Sequence, residues 1–90
     1  MTKKYRLKFE EGVLHDIDRL PGNVRQRVRR TITGLVDNPK PSGVIELRDK
    51  PGWYRIRLDD WRILYQIDEG DLIVFIVKVG IKKGPEFYED

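Results

Sequence analysis

From Trp53 to Ile67 large apolar side chains alternate with polar ones on either side of an Asp59-Asp60 pair. Alternation of period two is the mark of a half-buried strand, so the stretch predicts a β-hairpin with the two aspartates as its turn. That turn fixes the register. Leu58 faces Trp61, Arg57 faces Arg62, Ile56 faces Ile63 and Arg55 faces Leu64. One side of the hairpin then carries Tyr54, Ile56, Leu58, Trp61, Ile63, Tyr65 and Ile67, and the other carries Arg55, Arg57 and Arg62.

The flanking patterns predict the remaining elements. Tyr5, Leu7 and Phe9 alternate with Arg6 and Lys8, which fits a first strand with one buried face. Val13, Leu14, Ile17 and Leu20 recur at helical spacing within Glu10 to Leu20, before Pro21-Gly22 stops the helix. A second helix is expected from an Asn23 N-cap to about Val36, with Val24, Val28, Ile32, Leu35 and Val36 on its apolar stripe. Pro39 to Gly43 reads as a loop and Val44 to Leu47 as a short strand. After an Asp68-Glu69-Gly70-Asp71 turn, the run Leu72 to Val79 has almost no polar position, so it belongs in mid-sheet or is covered on both sides. The order β-α-α-β-β-β-β predicts an α+β fold, two N-terminal helices on one face of a mainly antiparallel sheet, as a single domain over residues 1–90.

Composition narrows the chemistry. Ninety residues support one modest core. Lysine and arginine number 18 against 15 acidic residues, so the net charge is only +3 and the distribution of charge matters more than its sum. With no cysteine, thiolate catalysis, disulfides and Cys-based zinc sites are excluded. The N-terminus lacks a signal-peptide apolar core and no apolar run approaches the roughly 20 residues of a membrane span, so a soluble cytoplasmic protein without membrane contact is expected. There is no metal-ligand cluster, Ser/His/Asp arrangement, P-loop or Rossmann glycine pattern, which restricts an enzyme reading to chemistry without metal or cofactor. The lone His15 has Asp16 and Asp18 as neighbours and reads as a surface residue.

What stands out is arginine. Like charges directly opposite on a sheet repel, and the pair Arg57 and Arg62 therefore invites an anion. Guanidinium groups grip phosphate oxygens with two parallel hydrogen bonds. The alternative is an ordinary solvated sheet face. On the second helix Arg25, Arg27, Arg29 and Arg30 cover much of the polar circumference, either as a solvated surface or, for Arg25, Arg29 and Arg30, as accessory contacts to RNA phosphates. The C-terminal stretch adds Lys82, Lys83, Glu86 and Tyr88, residue types able to position or protonate a nucleic-acid backbone. Glu46 is a candidate carboxylate, though a lone Glu on a short strand is more often a structural partner.

Tyr54-Arg55-Ile56-Arg57-Leu58, Trp61-Arg62-Ile63-Leu64-Tyr65-Gln66-Ile67, Val77-Lys78-Val79-Gly80 and Glu86-Phe87-Tyr88 together resemble the RelE toxins of the RelE/ParE toxin-antitoxin superfamily. The resemblance spans nearly the whole chain. It implies a RelE-like fold and a ribosome-dependent endoribonuclease that cuts messenger RNA in the ribosomal A site. It also implies a cognate antitoxin as partner, with operator DNA reached only through that antitoxin. Arg55 and Arg57 stand where the family pattern has two lysines, Arg62 matches an arginine, Lys82 falls on a C-terminal arginine, and Tyr88 matches a tyrosine that packs against the substrate base. An arginine, with a pKa above about 12, is a poor general base. The resemblance therefore assigns Arg55, Arg57 and Arg62 to phosphate and transition-state charge, Lys82 to proton transfer and Tyr88 to stacking. The lysine-to-arginine exchanges and the lack of the histidine that many members carry near Lys82 keep a rival open. That rival is a ParE-like toxin acting by protein contact, or an inactive toxin retained in a promoter-repressing complex.

Overall fold

The computed structural model describes residues 4–81. Strand β1 (Arg6–Phe9) is followed by helices α1 (Val13–Asp18) and α2 (Gly22–Gly34), then by β2 (Ile45–Glu46), β3 (Trp53–Leu58), β4 (Trp61–Asp68) and β5 (Ile73–Ile81). The five strands form one sheet in the order β1-β5-β4-β3-β2. Only the β1–β5 pairing is parallel; β2–β3, β3–β4 and β4–β5 are antiparallel. The apolar run therefore does lie in mid-sheet, as β5 between β1 and β4. Among the described residues no helix is long and apolar enough to cross a membrane.

Both helices pack on one face. Val13, Ile17 and Leu20 from the first helical segment and Val28, Ile32 and Leu35 from the second meet Tyr54, Ile56, Ile63, Tyr65, Val74 and Ile76 in a single core. Burying each large apolar side chain contributes about 1.5–3 kcal/mol. The Tyr65 hydroxyl donates to the Pro39 carbonyl at 2.6 Å, which fastens the 39–43 loop to the sheet. Burial raises the pKa of that hydroxyl, so it keeps the proton it donates.

The helices are shorter than their apolar periodicity suggests. Gly12 has a left-handed φ of 86°, which no α-helix continues through, so Glu10 and Glu11 lie outside α1. Asn23 is not an N-cap. The cap is Pro21, whose ψ of 145° is extended, and Asn23 falls inside the first turn of α2. Leu35 and Val36 follow the helix, and the Val36 carbonyl accepts from the Tyr5 amide at 2.9 Å.

Candidate nucleic-acid interface

The hairpin forms in the expected register. Leu58 pairs with Trp61, Arg57 with Arg62, Ile56 with Ile63 and Arg55 with Leu64. Asp59 supplies the positive φ of 56° at the first central position of the turn, a conformation that aspartate tolerates better than most residues. Since Tyr54, Ile56, Ile63 and Tyr65 enter the core, Arg55, Arg57 and Arg62 all belong to the face turned away from the helices.

The three arginines differ in setting. Arg57 is exposed and Arg55 half-buried, whereas Arg62 is only 8% exposed. The Arg62 Nη1 donates to the carbonyls of Asp59 at 2.6 Å and Trp61 at 3.0 Å. Two acceptors on the turn thus hold one edge of its guanidinium, offsetting the repulsion of the facing Arg57 and fixing the group in place. The Asp59 carboxylate accepts from Arg27 Nη1 at 2.7 Å, tying α2 to the same turn.

A further cation reaches this face through an irregularity. Between β4 and β5 the register shifts: Leu64 pairs with Lys78 but Tyr65 pairs with Ile76, leaving Val77 as the extra residue of a β-bulge. The shift reverses the parity of β5, so that Val74 and Ile76 enter the core before it and Val79 after it. Lys78 is thereby placed beside Leu64 and diagonal to Arg62, which pairs with Gly80. Val77 packs with Leu47, Trp53 and Leu64 in a small second cluster on this side. Sequence reasoning missed Lys78, because an unbroken apolar run has no alternation from which to read which way a lysine within it points.

The remaining candidates lie elsewhere. Because α2 covers the opposite side of the sheet, Arg25, Arg29 and Arg30 are not gathered with the hairpin arginines. Arg29 forms an ion pair with Asp18, and Arg25 donates to the Asp18 carbonyl at 3.4 Å. Both therefore brace α2 against the end of α1. Glu46 has a turn-holding role, accepting from the Gly52 amide at 3.0 Å. His15 is exposed on α1. Lys82, Lys83, Glu86 and Tyr88 lie outside the described residues.

A family model described as the ParE toxin of the type II toxin-antitoxin system, parDE, matches residues 7–83. The chain belongs to this toxin family. It is 27% identical over 88 residues to the mRNA interferase toxin RelE of Escherichia coli K12, covering 96% of this chain and 92% of that protein. A putative RelE-like toxin protein of E. coli is 30% identical over 88 residues, covering 94% of this chain and 90% of the relative. Among solved structures, a free-state mutant of E. coli RelE superposes with a TM-score of 0.78 at 28% identity, covering 94% of this chain and 90% of that one. The toxin of the archaeal RelE-RelB complex from Pyrococcus horikoshii gives 0.79 at 27% identity, over 90% and 98% of the two chains. The RelE-like fold expected from the sequence is thus the fold observed.

Proposed function

We propose that this toxin is a metal-independent endoribonuclease that cleaves messenger RNA in the ribosomal A site, and that a cognate antitoxin of the RelB kind restrains it. The observation that carries the reading is the placement of Arg57 directly opposite Arg62, with Arg55 and Lys78 in the adjoining row of the same face. A phosphodiester entering between the two guanidiniums neutralises their repulsion. As the ribose 2′-oxygen attacks the adjacent phosphorus and the 5′-oxygen departs, negative charge grows on the non-bridging oxygens. Arg62, already oriented by the Asp59 and Trp61 carbonyls, meets that charge without reorganising. Arg57 supplies the exposed second donor, and Arg55 and Lys78 hold the backbone to either side.

Proton transfer is assigned to Lys82 and base stacking to Tyr88, both on the strength of the family resemblance. An ammonium can release and regain a proton, which a guanidinium does not do in this pH range. Lys83, outside the described residues, is assigned to RNA binding for its charge alone. Arg30, exposed on α2, and its neighbours Arg25 and Arg29 would serve a separate contact on the other side of the molecule, toward ribosomal RNA and not toward the scissile strand.

Mapping message ends on purified translating ribosomes tests this reading. The wild type should cut within the A-site codon with only the Mg²⁺ the ribosome needs and no other metal added, and Lys82→Arg should slow single-turnover cleavage and flatten its pH dependence while ribosome binding persists. The description of the matching family as ParE favours a second reading, action by protein contact. No cleavage by the wild type on ribosomes, with growth arrest retained, would decide for it.

A further inference from the structure

Beyond the arginines, the same open face continues into a depression of about 290 Å³ lined by Lys8, Gln66, Ile67, Asp68, Ile73 and Phe75. Its walls come from three adjacent strands. Lys8 pairs with Phe75, Phe75 with Gln66, and Ile73 with Asp68, so β1, β5 and β4 each contribute. Ile73 and Phe75 are half-buried and form an apolar floor between Lys8 on β1 and Asp68 on β4, both exposed at the rim, and Gln66 is half-buried beside Asp68 on β4. The Asp68 Oδ1 accepts the amides of Gly70 and Asp71, both at 3.0 Å, which fixes the carboxylate in place. Gln66 lies four residues along β4 from Arg62, about 13 Å at the usual strand rise.

We propose that this depression is a nucleobase subsite for the same RNA strand, taking a base a few nucleotides from the cleaved linkage and favouring one that carries an exocyclic amino group over uracil. The proposal rests on the ribonuclease reading for its ligand. A nucleobase has apolar faces and a polar edge, and the depression has that division. Stacking on the Phe75 ring satisfies the face. The Gln66 amide offers a donor and an acceptor to the edge, and the Asp68 carboxylate accepts from an amino group but repels the carbonyl oxygen that uracil presents at the same position. Lys8 meets the phosphate on the side away from Asp68. The Lys78 ammonium, on the same face between the arginine pair and this depression, continues the basic path along which the backbone would run.

The test uses the full chain with 2′-O-methyl hexanucleotides, whose blocked 2′-oxygen prevents cleavage, and follows the backbone amides by NMR during titration. Oligoadenylate and oligocytidylate should shift the amides of Lys8, Gln66 and Phe75 in a saturable way and bind several-fold more tightly than oligouridylate. Phe75→Leu, which keeps an apolar floor, should weaken oligoadenylate binding about tenfold, and Gln66→Ala should reduce the preference over oligouridylate; dispersed amide spectra would establish that both variants are folded. Shifts confined to the β3–β4 arginines and Lys78, equal affinity for all three oligonucleotides, or unchanged binding by Phe75→Leu would each overturn the subsite. Shifts at these amides with antitoxin but not with RNA would likewise overturn it and assign the depression to a protein side chain. Wild-type cleavage on ribosomes is scored separately, so cleavage without the shifts removes only the subsite, and the shifts without cleavage remove only the ribonuclease reading.

Discussion

The two faces of the β3–β4 hairpin are made by alternate residues of the same two strands, yet they follow different rules. On the covered face Tyr54, Ile56, Ile63 and Tyr65 are excluded from water by the helices. On the open face Arg55, Arg57 and Arg62 gather like charge, which Arg62 eases by turning one edge toward the Asp59 and Trp61 carbonyls. Most of the buried apolar core therefore lies on one side of the sheet and the proposed RNA contacts on the other, separated by one peptide unit.

That separation can be broken or sharpened by substitution. The largest expected effect lies on the covered face. Ile63 is fully buried, and Ile63→Ala should lower unfolding free energy by about 2–5 kcal/mol in urea denaturation, while any protein that remains folded keeps its RNA chemistry. Arg57→Ala should do the reverse. Cleavage on ribosomes should fall about a hundredfold, near 2.7 kcal/mol of transition-state stabilisation, with unfolding changed by no more than about 0.5 kcal/mol. A matched loss of stability in Arg57→Ala would collapse the distinction.

Arg62 is the one residue that crosses between the two regimes. Arg62→Ala should lose a similar factor in cleavage and, because two turn carbonyls lose their donor, also about 1–3 kcal/mol of stability. The smallest effect is expected at the turn. Asp59→Asn keeps a side chain that accepts a positive φ but removes the exposed ion pair with Arg27, so it should cost under about 1 kcal/mol and the difference from wild type should shrink in high salt. Alkaline titration probes the covered face through Tyr65. Tyr65 has its folded pKa raised by burial, so its proton stays on in the folded chain after it has left the unfolded one. Stability should hold below about pH 10, where the unfolded tyrosine is protonated, and decline above it. The decline should be weaker in Tyr65→Phe.

Much of this division was legible in the sequence, for a physical reason. A hairpin closed by two residues leaves no freedom of register, and strict alternation then assigns every side chain between Tyr54 and Ile67 to a face. Where alternation fails, so does the reading. The run that became β5 is apolar at nearly every position, and nothing in it signals that Val77 is extra or that Lys78 follows the bulge to the basic face. Helical arginines are ambiguous for a related reason. Their spacing places Arg25 and Arg29 on an outer surface, but it carries no information that Asp18, on another helix, waits there to engage them. The start of α1 is hidden because acidic residues such as Glu10 and Glu11 suit the positive end of a helix, while the left-handed Gly12 breaks the backbone between them and Val13.

The place of β5 has a consequence for how the toxin comes into being. Among the described residues the first strand, β1, pairs with the fifth alone, with Arg6 beside Ile73, and β4 also takes β5 along one edge. Until β5 has been synthesised, the sheet is missing a central member and β1 lacks the strand it pairs with. Contacts between such distant parts of a chain form late and slowly. A nascent chain interrupted before Ile73 thus has the residues of the hairpin and both helices but lacks the strand that joins β1 to β4, and cannot complete the sheet.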